Sequence, residues 1–343
     1  MELSHKQIES LKEMLAQPRL RIVILSHTNP DGDAVGSSLA WAEVLRARGH
    51  EVTCVVPNKY PYFLDWMPGI EEVVVFKTDT EGRAVKAIAE ADVLFCLDFN
   101  AVSRLEILSE TIQGNTTARR VLIDHHLQPD EGFDIVFSHP ESSSTCFLVY
   151  CLVEAMYGTG AITRRMGELL YVGMMTDTGN FAFSFLTPEL FRAVAVLVEK
   201  GISIPDIHNS VYNAYTEGRA RLFGYAINRK MALIEDGTVA YMSLLESEMR
   251  RFQFQQGDSE GFVNYALTIK KVKMSAMFLA HRKFIRISLR SRGNVDVNLF
   301  ARKYFNGGGH KNAAGGKSFL SMEETIDHYI RSVREFAEEG HLG

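Results

Sequence analysis

The first half of the chain alternates short apolar runs with segments of helical periodicity. Ala34–Arg48 repeats apolar residues at helical spacing and stops at Gly49, a favourable residue for a helix C-terminus. Strands that alternate with helices are typical of a parallel sheet, because each helix returns the chain to the same edge. The sequence therefore predicts an α/β domain with a mostly parallel sheet, whose strands cover residues 21–26, 51–56, 92–98, 121–124 and 134–138.

The pattern changes beyond about residue 190, where strand-like and helical segments are mixed without regular alternation. Ser321 and Glu324 fit a capping box that opens a final helix. A chain of 343 residues is long enough for two ordinary domains, each with its own core. We therefore predict a first α/β domain over residues 1–190, a linker over 191–215, and a smaller α+β domain over 216–343.

The composition of the chain limits which binding partners and which cellular compartment we expect for the protein. The formal net charge is −5 and no basic block stands out, so the chain lacks the electrostatic footprint expected for binding long duplex nucleic acid. The four cysteines form no C-x-x-C pair, and Cys54 and Cys96 lie inside apolar runs, which favours reduced core thiols. There is no apolar signal core and no run of membrane-spanning length. We expect a cytoplasmic protein without a membrane partner.

Acidic and imidazole groups follow three of the predicted strands, at the point where each strand ends. His27, Asp31 and Asp33 come after the first strand, Asp98 closes the third, and the triplet DHH occupies residues 124–126 at the end of the fourth. Ligands of open parallel sheets bind in the crevice beyond the carboxyl ends of the strands. We therefore expect these groups to converge on one site.

Each motif has an ordinary structural explanation when it is taken alone. A lone His27 fits a capping or surface histidine, DGD at 31–33 fits an N-cap turn, and DTG at 177–179 fits a turn that ends a helix. Together, however, carboxylates at buried strand ends would lose hydration and repel one another without a compensating cation. Carboxylates and imidazoles suit manganese, magnesium or a related divalent ion, and two ions sharing a carboxylate would promote phosphoester hydrolysis.

The motifs in this order resemble those of the DHH phosphoesterases. The matching residues are HTNPDGD at 27–33, the strand ending at Asp98, DHH at 124–126 and TDTG at 176–179. The resemblance continues in GGGHKNAAG at 307–315, which is similar to the glycine-rich signature of the DHH-associated C-terminal domain. The compact layout looks most like the nanoRNase and adenosine 3′,5′-bisphosphate phosphatase group of the family.

This resemblance implies a role for each residue of the site. Two divalent ions, manganese with magnesium or cobalt as alternatives, would share Asp98 as a bridge. His126 would face the substrate phosphate as a donor or acid, and Asp124 would orient a histidine. The implied metal ligands are His27, Asp31 and Asp98 for one ion, and Asp33, Asp98, His125 and Asp177 for the other.

The second domain carries a candidate substrate surface. Arg286, Ser288 and Arg290 alternate with apolar residues, which places them on one face of a strand. Such a face is often merely solvated, and an isolated glycine run is often a flexible loop. The resemblance instead implies that this face holds the nucleotide in a cleft between the domains, together with Gly307, Gly308, Gly309 and His310.

The sequence thus predicts a manganese-dependent phosphohydrolase that degrades short single-stranded RNA oligonucleotides and dephosphorylates nucleoside bisphosphates such as adenosine 3′,5′-bisphosphate. A phosphodiesterase for linear or cyclic dinucleotides would share the same metal centre and remains an alternative. A non-catalytic nucleotide sensor is an alternative of another class, although a sensor would not need the full ligand set. A homodimer is compatible with the sequence, which does not determine the oligomeric state.

Overall fold

The computed structural model describes residues 3–182 and 185–342, which form two compact units that divide between Ala214 and Tyr215. The elements of the first unit confirm the predicted alternation of strands and helices. In chain order they are α1 (His5–Leu15), β1 (Arg21–Leu25), α2 (Gly32–Arg46), β2 (Glu51–Val56), β3 (Val74–Val75), α3 (Arg83–Glu90), β4 (Val93–Leu97), α4 (Ser109–Gly114), β5 (Arg119–Asp124), β6 (Ile135–Ser138), α5 (Thr145–Tyr157), α6 (Arg164–Asp177), α7 (Pro188–Glu199) and α8 (Ile204–Tyr212).

The first sheet is parallel throughout and has the order β3-β2-β1-β4-β5-β6. The chain order reverses between β1 and β4, where Ile24 pairs with Cys54 on one side and with Phe95 on the other. At such a switch point the loops after the two strands run in opposite directions and open a crevice at the carboxyl edge. The topology therefore confirms the predicted α/β class and locates the crevice beside the ends of β1 and β4.

Helix α2 lies in the interior of the first unit rather than on its surface. Most of its residues are buried, and Trp41 packs edge-on against Phe95 of the sheet at 5.6 Å between ring centroids. A side chain at Gly36 would place its Cβ 2.5 Å from the carbonyl oxygen of Leu169 in α6. The close approach of α2 and α6 therefore requires glycine at this position.

The predicted linker differs from the structure. Residues 191–215 contain most of α7 and all of α8, and the side chains of Ala193, Leu197, Ile207 and Val211 are buried. These apolar residues recur at helical spacing, so both helices bury a face in the first unit. The first unit accordingly extends to Ala214 rather than ending at residue 190.

The second unit is built on a mixed sheet of order β11-β12-β10-β9-β8-β7, in which only the β8–β9 pair is parallel among the described strands. Its core lies between this sheet and two helices, with Phe300, Tyr329 and Phe336 fully buried. The elements are α9 (Glu217–Tyr225), β7 (Ala232–Ile234), β8 (Val239–Leu244), α10 (Glu246–Arg251), α11 (Phe262–Tyr265), β9 (Met274–His281), β10 (Phe284–Ser291), α12 (Val297–Phe305), β11 (Gly308–His310), β12 (Ala313–Ser318) and α13 (Met322–Glu338).

Two local predictions for the second unit have clear outcomes. The capping box is confirmed, because Ser321 Oγ accepts from the Glu324 N–H while the Glu324 carboxylate accepts from the Ser321 N–H. The glycine-rich segment is an ordered hairpin, since Gly309 pairs with Ala314 across β11 and β12.

Within the described ranges, no helix combines the length and the apolar composition needed to cross a bilayer.

Candidate metal centre

The first group of site residues follows β1. His27 lies just beyond the strand, and Asp31 caps α2, its Oδ1 accepting from the N–H groups of Asp33 (3.0 Å) and Ala34 (3.1 Å). Capping places Asp31 at the mouth of the crevice and Asp33 in the first turn of α2, where the helix dipole favours a negative charge. The turn chemistry that looks ordinary in the sequence therefore also orients the two carboxylates.

Asp98 occupies the loop after β4 in a left-handed backbone conformation, with φ of 64°. Its backbone N–H donates to the carbonyl of Ile123 at 3.1 Å, and its side chain is only 2% exposed. A non-glycine residue in this region carries a backbone cost, which the surrounding structure must offset. The strain turns the Asp98 carboxylate back toward the ends of β1 and β5.

The predicted metal ligands form two adjacent clusters. His27, Asp31 and Asp98 place one ligand atom each within 4.8 Å of one another, and Asp33, His125 and Asp177 do the same. Asp98 joins the clusters, because its Oδ2 lies 3.3 Å from His27 Nε2 while its Oδ1 lies 3.5 Å from His125 Nε2. In the second cluster, His125 Nε2 is 3.3 Å from Asp177 Oδ2 and 3.8 Å from Asp33 Oδ2.

The hydrogen bonds of the two histidines assign their ring protons. His27 Nδ1 lies 2.9 Å from the carbonyl of Thr28, and His125 Nδ1 lies 3.2 Å from the carbonyl of Ser142. A carbonyl oxygen only accepts, so each Nδ1 carries the proton and each Nε2 turns a lone pair toward the carboxylates. A backbone carbonyl behind Nδ1 is the usual support of a metal-ligating histidine.

The pKa shifts of the buried groups also indicate a site for metal cations. Burial, followed by the charge of Asp98, raises the pKa of the Asp33 carboxyl, and burial followed by Asp31 raises the pKa of Asp98 well above its usual range. Burial also lowers the pKa of His27, so the imidazole does not supply the missing positive charge. Carboxylate oxygens that repel one another, together with imidazole nitrogens, form a donor set that fits two divalent cations.

His126 and Asp124 form a separate pair beside these clusters. Asp124 Oδ1 accepts from His126 Nδ1 at 2.8 Å, and its Oδ2 accepts from the His126 backbone N–H at 3.0 Å. His126 Nδ1 is 3.9 Å from Asp98 Oδ1, so the ring lies at the edge of the metal clusters. Because Asp124 is fully buried and contacts both the ring and the backbone of His126, it fixes the orientation of that ring.

Thr145 is a site residue that sequence reasoning missed. It opens α5, and it donates its backbone N–H to Asp33 and its hydroxyl to Asp98. Hydroxyl residues at 142–145 are a recognisable helix-start signal, but nothing in that signal identifies which carboxylates the helix meets. Arg104 was also missed: its carbonyl accepts from the Thr28 N–H, and its charge contributes, after burial, to the lowered pKa of His27.

Five of the seven predicted substrate residues of the second unit share one face of its sheet. Ile285, Ile287 and Leu289 of β10 are buried in the cluster of Phe300 and Tyr329, so the alternate positions of that strand lie on the opposite face of the sheet. The register pairs Arg290 with Ala313 and Ala313 with His310, which places Arg290 and His310 in one row across three strands. The other members of this face are Arg286, Ser288 and Gly308, while Gly307 precedes β11 and Gly309 lies within it.

A parallel α/β unit with carboxylate–imidazole clusters at its strand ends, followed by a mixed-sheet unit, defines a two-domain phosphoester hydrolase. Residues 21–174 match the DHH family, N-terminal domain, and residues 236–339 match the DHHA1 domain. The first match includes each predicted metal ligand except Asp177, and the second includes the predicted substrate residues of the second unit. The chain belongs to the DHH family of phosphoesterases.

The similarity to individual proteins extends over the whole chain. The bifunctional oligoribonuclease and PAP phosphatase NrnA of Thermus thermophilus is 26% identical over 339 residues, which covers 96% of this chain and 94% of that protein. The crystal structure of an exopolyphosphatase-related protein from Bacteroides fragilis is 40% identical, with a TM-score of 0.90 and 97% of both chains covered. The cyclic-di-AMP phosphodiesterase GdpP of Bacillus subtilis is 25% identical over 96% of this chain but only 50% of its own length.

Proposed function

We propose that this protein is a manganese-dependent phosphohydrolase that degrades short RNA oligonucleotides and dephosphorylates adenosine 3′,5′-bisphosphate. The observation that carries the proposal is the pair of carboxylate–imidazole clusters joined by Asp98 at the switch point of the sheet. The similarity to the Thermus thermophilus protein, which spans nearly all of both chains, supports these two substrates. Magnesium and cobalt are the alternative ions for the same donor set.

In this proposal the first unit performs the chemistry. His27, Asp31 and Asp98 hold one divalent ion, and Asp33, Asp98, His125 and Asp177 hold the other. When bound, two such ions lower the pKa of water and stabilise negative charge on the phosphoryl oxygens. In its imidazolium form, with a proton on each ring nitrogen, His126 would donate to the phosphate through Nε2–H and pass that proton to the departing oxygen, while Asp124 would accept from Nδ1–H.

The second unit selects the substrate. Arg290 and His310 bind a terminal nucleotide or its phosphate, and Gly308, in the row next to theirs, has no side chain to obstruct its approach. Arg286 and Ser288 extend the same polar face along β10. In this proposal the polar face of the second unit binds one end of a short oligonucleotide while the first unit hydrolyses it.

A phosphodiesterase acting on linear or cyclic dinucleotides is the second candidate. The similarity to the Bacillus subtilis phosphodiesterase favours it, since that match also covers nearly all of this chain. The two functions share one metal centre and differ in how the second unit holds the base. A nucleotide sensor without turnover would need the polar face but not the full set of ligands.

The deciding experiment is a substrate panel with manganese, magnesium, cobalt or a chelator present. The panel contains RNAs of two to five nucleotides, a long RNA, adenosine 3′,5′-bisphosphate, cyclic and linear dinucleotides, and linear polyphosphate because of the Bacteroides fragilis relative. We expect the highest kcat/KM on the short RNAs and the bisphosphate, with manganese. A cyclic dinucleotide as the best substrate would favour the second candidate, and no turnover on any substrate would refute both.

A further inference from the structure

We infer that Thr145 is a positioning residue that holds Asp33 and Asp98 in the orientation needed to bind the ions. Its backbone N–H donates to Asp33 Oδ2 at 2.6 Å, and its hydroxyl donates to Asp98 Oδ1 at 2.9 Å. One residue therefore contacts a carboxylate of each cluster. The inference rests on the proposed metal centre, but it assigns a role to a residue that no ligand motif includes.

The backbone N–H groups at the start of α5 point toward the Asp33 carboxylate. Both oxygens of this carboxylate accept backbone N–H groups, Oδ2 from Thr145 and Oδ1 from Cys146 at 2.8 Å. These N–H groups belong to the first turn of a 13-residue helix, where they have no partner within the helix. Ser144 caps the same turn by accepting from the Phe147 N–H at 3.0 Å, which leaves the earlier groups directed at Asp33.

The hydroxyl of Thr145 determines which oxygen of Asp98 faces which cluster. It donates to Oδ1, the oxygen on the side of His125, while Oδ2 lies 3.3 Å from His27 Nε2. A carboxylate rotates readily about its last bond when no donor holds it. Losing the hydroxyl would therefore disturb the donors offered to both ions at once.

Packing leaves Thr145 and Asp33 little freedom to adjust. Thr145 is fully buried and Asp33 is 1% exposed. Gly173 of α6 lies so close that an added Cβ would be 2.5 Å from Asp33 Oδ1 and 2.2 Å from the sulfur of Cys146. Asp33 is therefore packed tightly against both the N-terminus of α5 and the glycine of α6.

The test compares the manganese affinity of Thr145→Val with that of the wild type, using the full chain and isothermal titration. Valine keeps the shape and the backbone N–H but removes the hydroxyl, and Thr145→Ser restores the hydroxyl without the methyl group. We expect valine to weaken manganese binding about 10- to 100-fold, in the range found for lost supports of metal ligands. Serine keeps the hydroxyl, so its manganese affinity should stay well above that of the valine variant.

Ser143→Ala is the matched control. Its hydroxyl is buried two residues earlier and has no hydrogen-bond partner among the described residues, so its removal should leave the affinity unchanged. At saturating manganese, Thr145→Val should keep the KM for a small phosphodiester reporter and lower its kcat. Thermal unfolding checks that the variants fold, and Thr145→Ala removes the same hydroxyl if valine does not fit at the start of the helix.

Wild-type manganese affinity in a folded Thr145→Val protein would overturn the inference, and so would an equal loss in Thr145→Ser. The proposed function fails in a different way. A wild-type protein that binds manganese but hydrolyses no substrate of the panel would refute the function, while the affinity measurements would still decide the role of Thr145.

Discussion

Replacing Gly173 by alanine is expected to destabilise the first unit and to displace Asp33. The new methyl group would lie 2.2 Å from Cys146 Sγ, 2.5 Å from Asp33 Oδ1 and 2.8 Å from Cys146 Cβ. All three distances are too short for any real contact. Neither neighbour is the loose end of a flexible side chain, because Asp33 accepts two N–H groups and Cys146 belongs to the first turn of α5.

The expected magnitude follows from two opposing effects. Overpacking a dense core costs about 1 to 3 kcal/mol, and the rigid neighbours of Gly173 favour the upper end of that range. Alanine is favoured over glycine inside a helix by about 1 kcal/mol. The free energy of unfolding should therefore fall by about 2 kcal/mol in the absence of metal.

The assay is urea unfolding followed by tryptophan fluorescence, with a chelator present. Both tryptophans, Trp41 and Trp66, lie in the first unit, so the signal reports the unit that contains the substitution. Gly114→Ala is the control, because Gly114 is also helical, in the same unit, and an added Cβ there meets no atom within 4 Å. That variant should be neutral or up to about 1 kcal/mol more stable.

Two further measurements connect this prediction to the metal centre. Gly173→Ala should bind manganese more weakly than the wild type, since the methyl group displaces Asp33. Adding Cys146→Ala to the same protein removes the closest contact and should recover part of the stability. Unchanged stability together with wild-type manganese affinity in Gly173→Ala would refute the argument that α6 holds this carboxylate in place.

Three other substitutions separate the roles assigned to the site residues. Asp98→Asn keeps the size of the bridging side chain but removes its charge, so we expect the loss of at least one ion and of nearly all hydrolysis. Metal analysis checks this, and two bound ions with ordinary turnover would contradict the bridging role. His126→Ala should retain its bound metal while turnover falls, whereas His125→Ala should lose metal. Equal metal loss in the two variants would reverse the roles assigned to the two histidines. Arg290→Ala should lower kcat/KM about 10- to 150-fold on dinucleotides and the bisphosphate, the equivalent of about 1.5 to 3 kcal/mol, but spare a small reporter. Equal losses on all substrates, or a wild type that prefers long RNA, would exclude length selection by the second unit.

Local sequence patterns determined much of the fold. The apolar runs and the helical spacing of Ala34–Arg48 depend on neighbours a few residues apart, so β1, β2, β4, β5, β6 and α2 could be predicted from the chain alone. The convergence of polar groups was also predictable, because parallel strands end at one edge of their sheet. The two-residue β3 carries too few residues to show a periodicity and was missed.

The tertiary structure decided contacts between distant segments. The Thr145 N–H meets Asp33 across 112 residues of sequence, and no periodicity or turn signal encodes a partner that far away. Packing likewise decided that residues 191–215 belong to the first unit, because their helices bury apolar side chains against it. The proton on Nδ1 of His125 follows from the carbonyl of Ser142, which only the folded chain brings within reach. Local free-energy preferences act within a few residues, whereas these contacts exist only after the core has closed.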